Sequence, residues 1–188
     1  MPRSSTLTTP YAASPILPLL VALASWLLLL APISCVETEP AAAPSPPEVA
    51  PAFSLPQLGA APGAQVALAS QLGKTVIIDF WATWCVPCEF QVPELNAFYD
   101  AHREDSDVAL FGASVDTEGE ALVAEWVGEK GVRYPILLGG DALAREFGAE
   151  GFPTLVVVAP DGTIDSRHVG LIQQEELEEI LARLRAAG

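Results

Sequence analysis

The chain has 188 residues, of which 24 are acidic and nine basic, for a formal net charge of −15. A surface of that sign repels nucleic acid and excludes a nucleic-acid-binding role, and the acidity reads as solubility rather than as a binding site. Only three cysteines occur, which excludes a disulfide framework, and the part able to bury a core is about one ordinary domain long.

The first element is apolar. From Ile16 to Ile33 the sequence ILPLLVALASWLLLLAPI carries no charge, Arg3 is the one basic residue before it, and Glu37 and Glu39 are the first charges after it. A run of this length is long for a signal-peptide core and short for a membrane-spanning helix, so it is an export or anchor segment. Its charge flanks leave the amino terminus in the cytoplasm and the rest of the chain outside. Pro32-Ile33-Ser34-Cys35 resembles a bacterial lipoprotein processing site, with Pro32 where an aliphatic residue is usual. Lipidation of Cys35 is the favoured reading, and an uncleaved anchor and ordinary cleavage stay open. Residues 1–35 thus form the targeting segment. Residues 36–51, VETEPAAAPSPPEVAP, are too rich in proline and too poor in large apolar groups to fold, and read as a semi-rigid tether. The domain is expected over residues 52–188.

Within it, Val76-Ile77-Ile78-Asp79-Phe80-Trp81 is a nearly continuous β-branched and aromatic run, the pattern of a strand covered on both faces and central in a sheet. Asp79 is conspicuous there, because a carboxylate among apolar neighbours is costly unless it is partnered, functional or reaches solvent. The strand runs directly into Ala82-Thr83-Trp84-Cys85-Val86-Pro87-Cys88, which places two cysteines at the start of a helix predicted over 89–103. Orphan amide donors and the positive helix end favour a thiolate at Cys85, the attacking sulfur, and Cys88 lies one turn inward to close the disulfide. Pro87 suits an early helical position, where its missing donor is not needed. Further strands are expected at Val108–Val115 and Thr154–Ala159, with a helix over 118–130 between them. Asp161-Gly162 signals a hairpin that makes Thr163–Val169 an antiparallel neighbour. In the last helix, over 173–186, Leu177, Ile180, Leu181 and Leu184 form one buried stripe, and its glutamates form a solvated face. The alternation gives an α/β three-layer fold.

A zinc site would need more ligands than Cys85 and Cys88, and His102 and His168, the only histidines, read as ordinary surface or core residues. No metal and no organic cofactor are expected. Trp81 and Trp84 shield the dithiol from water, and Trp126 is a core or surface aromatic.

Phe53-Ser54-Leu55-Pro56, Gly73-Lys74, Phe80 through Cys88, Val92-Pro93-Glu94-Leu95, Ser114-Val115-Asp116, Gly151-Phe152-Pro153-Thr154 and Asp161-Gly162 together resemble the TlpA/ResA-like family of thioredoxin-fold thiol:disulfide oxidoreductases. The resemblance implies a central mixed sheet flanked by helices, with Glu118–Gly140 as the family's insertion. It implies a cis peptide bond before Pro153 and a place for Pro153 against the dithiol, with the backbone of Phe152 offered to an extended substrate. Trp84, Pro87, Phe152 and Pro153 are then the expected substrate-binding residues, and Cys85, Cys88, Asp79 and Pro153 the catalytic ones. Asp79 becomes a buried proton acceptor behind the dithiol. Gln91 departs from the family, standing where relatives commonly carry a glutamate, which leaves Asp79 as the base.

The function expected is reduction of disulfides in exported proteins, with a membrane thiol-electron donor as partner and apocytochrome c or copper-site cysteines as substrates. Three rivals remain: an oxidant or isomerase, because direction depends on reduction potential; a thiol peroxidase, suggested by Ser114-Val115-Asp116 but lacking the peroxide-binding Thr/Cys arrangement; and a Cu(I)-binding metallochaperone using both thiolates.

Overall fold

The long apolar strand organises the molecule. In a computed structural model, which describes residues 46–188, β3 (Thr75–Trp81) has all seven residues buried. Cys35 and the apolar segment before it lie outside the described residues. Burial on both faces requires a neighbour on each edge and a layer above and below. The edges are occupied by β4 (Val108–Ser114), parallel, and β6 (Thr154–Val158), antiparallel. Beyond them lie β5 (Ile136–Leu137), parallel to β4, and β7 (Ile164–Val169), antiparallel to β6, giving the order β5-β4-β3-β6-β7. Two three-residue strands, β1 (Ser54–Pro56) and β2 (Gln65–Ala67), form a separate antiparallel pair.

The parallel β3–β4 pair needs a crossover, supplied by α1 (Val86–His102). Three further helices follow: α2 (Glu120–Lys130), α3 (Gly140–Glu146) and α4 (Gln174–Ala187). The predicted insertion Glu118–Gly140 therefore contains α2 and the edge strand β5. The period-2 alternation of a strand divides β3 into two faces. Trp81 stacks on Trp126 of α2 with ring centroids 4.3 Å apart, so α2 covers the face carrying Ile77, Asp79 and Trp81. Helix α1 lies beside α2, joined to it by Glu89–Lys130 at 2.8 Å and by Asn96, which brackets the Gly131 carbonyl and the Arg133 N–H. On the opposite face Phe80 meets Phe147, just beyond α3, at 5.6 Å.

The Asp161-Gly162 turn closes β6 and β7, with the Asp161 carboxylate accepting from the Thr163 N–H and hydroxyl and Gly162 at φ 86°. Helix α4 buries Leu177, Leu181 and Leu184 and half-buries Ile180. Its Glu178 is bound by the ring of His102, which also meets Asp105, each at 2.8 Å, tying the end of α1 to α4. Burial pushes the His102 pKa down, but these two carboxylates outweigh it and the net shift is upward.

The last residues of the stretch read as a tether belong to the fold. Ala50 donates to the Gly162 carbonyl, Glu48 accepts from the Ile164 N–H, and the Glu48 carboxylate pairs with Arg167. Between Pro47 and Pro51, Glu48, Val49 and Ala50 all keep their N–H groups, so this short stretch is free to pair with the hairpin.

Candidate active site

The two cysteines sit where a fully buried strand must leave the sheet. After Trp81 the chain turns through Ala82-Thr83-Trp84, closed by a hydrogen bond from the Cys85 N–H to the Ala82 carbonyl at 3.1 Å. Cys85 is the N-cap of α1 and Pro87 lies in its first turn. The Cys88 N–H, at the helix start, donates to the Cys85 carbonyl at 3.0 Å and also to Cys85 Sγ at 3.3 Å. The two sulfurs are joined in a disulfide with Cα atoms 5.4 Å apart. The predicted helix thus begins three residues early, because the cysteine itself supplies the cap.

Cys85 is less exposed than a position at an open helix end suggests, at 5%, against 2% for Cys88. Next to it in the chain Trp84, 64% exposed, meets Phe152 edge-on at 5.9 Å. Cys85 nevertheless reaches a groove of about 500 Å³ that it lines with Trp84, Val86, Pro87, Glu150 and Phe152, and Cys88 does not line it. The sequence-predicted residues Trp84, Pro87 and Phe152 are therefore gathered on the Cys85 side of the disulfide. Pro153 is buried behind them, after a cis Phe152–Pro153 bond, and its carbonyl accepts from the Gly170 N–H. The register Phe80↔Thr154 puts Pro153 beside the end of β3, where the cysteine loop departs. Among the described residues no hydrogen bond engages the backbone of Phe152. Val86 and Phe90, one turn apart and both exposed, extend the apolar surface along α1 and were not singled out from sequence. The signal available was two large apolar residues at i, i+4 on an otherwise solvated stripe.

Asp79 does not reach solvent. It is 2% exposed, with Oδ1 lacking any hydrogen-bond partner, and burial alone pushes its pKa up to about 7. Its side chain is on the sheet face covered by the α1–α2 layer, and Cys88 occupies the first turn of α1. Asp79 pairs in register with Gly112 of β4. A Cβ there would lie 2.9 Å from Trp81 Nε1 and 2.7 Å from the Ile136 side chain, so the glycine lets the indole and its neighbours close over this part of the sheet. A lone glycine in an apolar strand pattern is the sequence sign of such a close approach. Tyr134 is held here too, its pKa raised first by burial and then by the nearby Asp79 carboxylate.

Gln91, on the buried side of α1, uses both ends of its amide on one residue: it donates to the Ile172 carbonyl and accepts from the Ile172 N–H, each at 2.9 Å. A carboxylate could not make the first of these bonds. Among the described residues no cluster of three or more His, Cys, Asp or Glu side chains is placed to hold a metal ion.

The AhpC/TSA family model matches residues 46–167. The thiol-disulfide oxidoreductase ResA of Bacillus anthracis is 29% identical over 123 residues, covering 65% of this chain and 70% of ResA. The thioredoxin-like protein YneN of Bacillus subtilis is 27% identical over 132 residues, 70% of this chain and 76% of YneN. The crystal structure of StoA from Bacillus subtilis matches with a TM-score of 0.59 and 26% identity over 71% of this chain and 98% of that one. The chain belongs to the AhpC/TSA family, among the TlpA/ResA-like thiol:disulfide oxidoreductases of thioredoxin fold.

Proposed function

We propose that the protein reduces disulfides of proteins outside the cytoplasm, held at the membrane by its amino terminus with Cys35 as a lipidated first residue. In the reduced enzyme the Cys85 thiolate attacks a substrate disulfide, forming a Cys85–substrate disulfide and releasing one substrate thiolate, which takes a proton from solvent. Cys88 then gives its proton to Asp79 and attacks Cys85 Sγ, which releases the second substrate thiolate and leaves the Cys85–Cys88 disulfide. Two electrons pass to the substrate, and a membrane thiol donor restores them. The family resemblance makes apocytochrome c and copper-site cysteines the substrate classes to try first.

The observation that carries this reading is the buried carboxyl of Asp79, poised near neutrality on the sheet face that α1 covers. A group with that pKa accepts a proton from a thiol and returns it to solvent within the physiological range. The reductive direction is supported by the charges around the disulfide. Glu150 lines the groove, and among the described residues no Lys, Arg or His lines it; Glu89, in the first turn of α1, has its charge balanced by Lys130. A cation would stabilise the reduced, thiolate form and make the enzyme an oxidant; acidic neighbours do the opposite.

Trapping tests the assignment of roles. A Cys88→Ser variant is expected to accumulate a mixed disulfide with substrate through Cys85, and a Cys85→Ser variant none. Accumulation through Cys88 instead would reverse the two roles.

A further inference from the structure

Three residues, Ala82-Thr83-Trp84, lead from β3 to Cys85, the cap of α1, and the position of Cys85 depends on how firmly they are held. The middle one, Thr83, gives both of its donors to a single carboxylate, that of Asp116, two residues beyond the end of β4. Its N–H is shared between Asp116 Oδ1 at 3.2 Å and Oδ2 at 3.0 Å, and its hydroxyl donates to Oδ1 at 2.7 Å. Asp116 is itself fixed from behind: the buried Ser114 hydroxyl donates to Oδ2 at 2.8 Å and accepts the Asp116 N–H at 3.2 Å. The backbone beneath is continuous with the sheet, since the Val115 N–H donates to the Trp81 carbonyl at 2.9 Å.

We propose that Asp116 is a positioning residue for the redox site, clamping the loop at Thr83 so that Trp84 keeps its edge contact with Phe152 and Cys85 keeps its place as the cap of α1. The proposal rests on Cys85 being the attacking sulfur and adds a residue to that site. Asp116 touches neither sulfur; it acts through Thr83. Charge-assisted bonds from a carboxylate to a backbone N–H and a hydroxyl are the strong members of their class, and here they converge on one residue of a three-residue connection. With the clamp gone, the half-buried Thr83 N–H loses its partner and the turn is free to shift. The Cys88 N–H then no longer aims at Cys85 Sγ, and the thiolate loses a donor that favours it. Asparagine preserves the clamp: its carbonyl oxygen can accept from both Thr83 donors, and its amide can donate to the Ser114 oxygen once that hydroxyl turns.

Two measurements on the full-length reduced protein test this: the pH profile of iodoacetamide alkylation at Cys85, read by peptide mass, and the rate of insulin disulfide reduction. In Asp116→Ala the alkylation midpoint is expected to move to higher pH, and the reduction rate to fall by about tenfold or more, the scale expected when a reacting group is displaced. Asp116→Asn is expected to keep the wild-type midpoint and a rate within about threefold, since the geometry survives and only the charge is lost. Midpoint and rate unchanged in Asp116→Ala, with or without a loss of thermal stability, would make Asp116 a structural residue only. Equal damage in Asp116→Asn would overturn the clamp in favour of a charge effect. If Asp116→Ala does not fold, Thr83→Val and Thr83→Ser decide: valine, lacking the hydroxyl, should shift the midpoint and serine should not, and a wild-type profile in both contradicts the proposal. Alkylation involves no substrate, so a wild-type protein that fails to reduce any disulfide defeats the functional reading while leaving the clamp to be judged on its own profile.

Discussion

Replacing Asp79 by Asn should make the protein more stable at pH 8 and slower at one step of its reaction. Burial raises the Asp79 pKa from 3.8 to about 7. The folded state therefore holds this proton more tightly than the unfolded chain does. Between those two values stability falls as pH rises, because unfolding releases the carboxyl to ionise; above about 7 the loss is complete, and below 3.8 both states are protonated and there is none. A shift of about three units corresponds to about 4 kcal/mol at 1.36 kcal/mol per unit. Asparagine is close in size and cannot ionise, so Asp79→Asn should gain up to about 4 kcal/mol over wild type at pH 8 and almost nothing near pH 4. For a domain of this size that is a rise of about 10 °C in Tm. Urea unfolding of both proteins, in the oxidised state, at pH 4.5, 6 and 8 gives the difference at each pH, and other titrating groups cancel. A difference that does not change between pH 4.5 and 8 would mean that Asp79 is ionised in the fold throughout and that burial does not raise its pKa. The kinetic half is read by rapid mixing of the reduced proteins with substrate from pH 6 to 9. First attack by Cys85 should change little, while the mixed disulfide awaiting Cys88 should persist longer in Asp79→Asn. Unchanged resolution across that range would assign the proton to water or another group.

Gln91→Glu should destabilise this protein by about 1–3 kcal/mol, because the Ile172 carbonyl loses its buried donor and faces a carboxylate oxygen; denaturant unfolding at pH 7 checks this, and a stabilised variant would show that the bracket can rearrange. For the amino terminus, intact-mass spectrometry of the membrane fraction should find a mature chain that starts at a lipidated Cys35, and a chain retaining earlier residues would rule that out.

Much of the fold was readable because its principal elements are long enough to carry a period. The seven buried residues of β3 and the leucine stripe of α4 show their burial in the sequence itself, and the hairpin is written in Asp161-Gly162. Strands β1, β2 and β5 were not, since two or three residues carry no period and their pairing comes from the surroundings. In the site, the pair Cys85 and Cys88 and its place at a helix start were legible from spacing and from the strand before it. That Asp79 is an oddity was also visible, but its depth was not: whether a carboxylate in an apolar run reaches solvent depends on Gly112, Trp81 and Tyr134 closing over that part of the sheet. The links from Asp116 to Thr83 and from Gln91 to Ile172 were invisible for a plainer reason. They join residues 33 and 81 positions apart, and each is made by a polar side chain of a common type. Local pattern carries no information about such partners.

The reduction potential of the Cys85–Cys88 couple decides the direction of electron flow and can be measured directly. Equilibrating the full-length protein in glutathione buffers at pH 7 and quantifying the oxidised fraction by alkylation gives the value. Glu150 at the groove, with no cation lining it among the described residues, favours the reducing side, below about −200 mV and towards the value of about −270 mV typical of thioredoxin. A potential near −120 mV, as in strongly oxidising members of the thioredoxin fold, would contradict the reductant reading and make the protein a donor of disulfides.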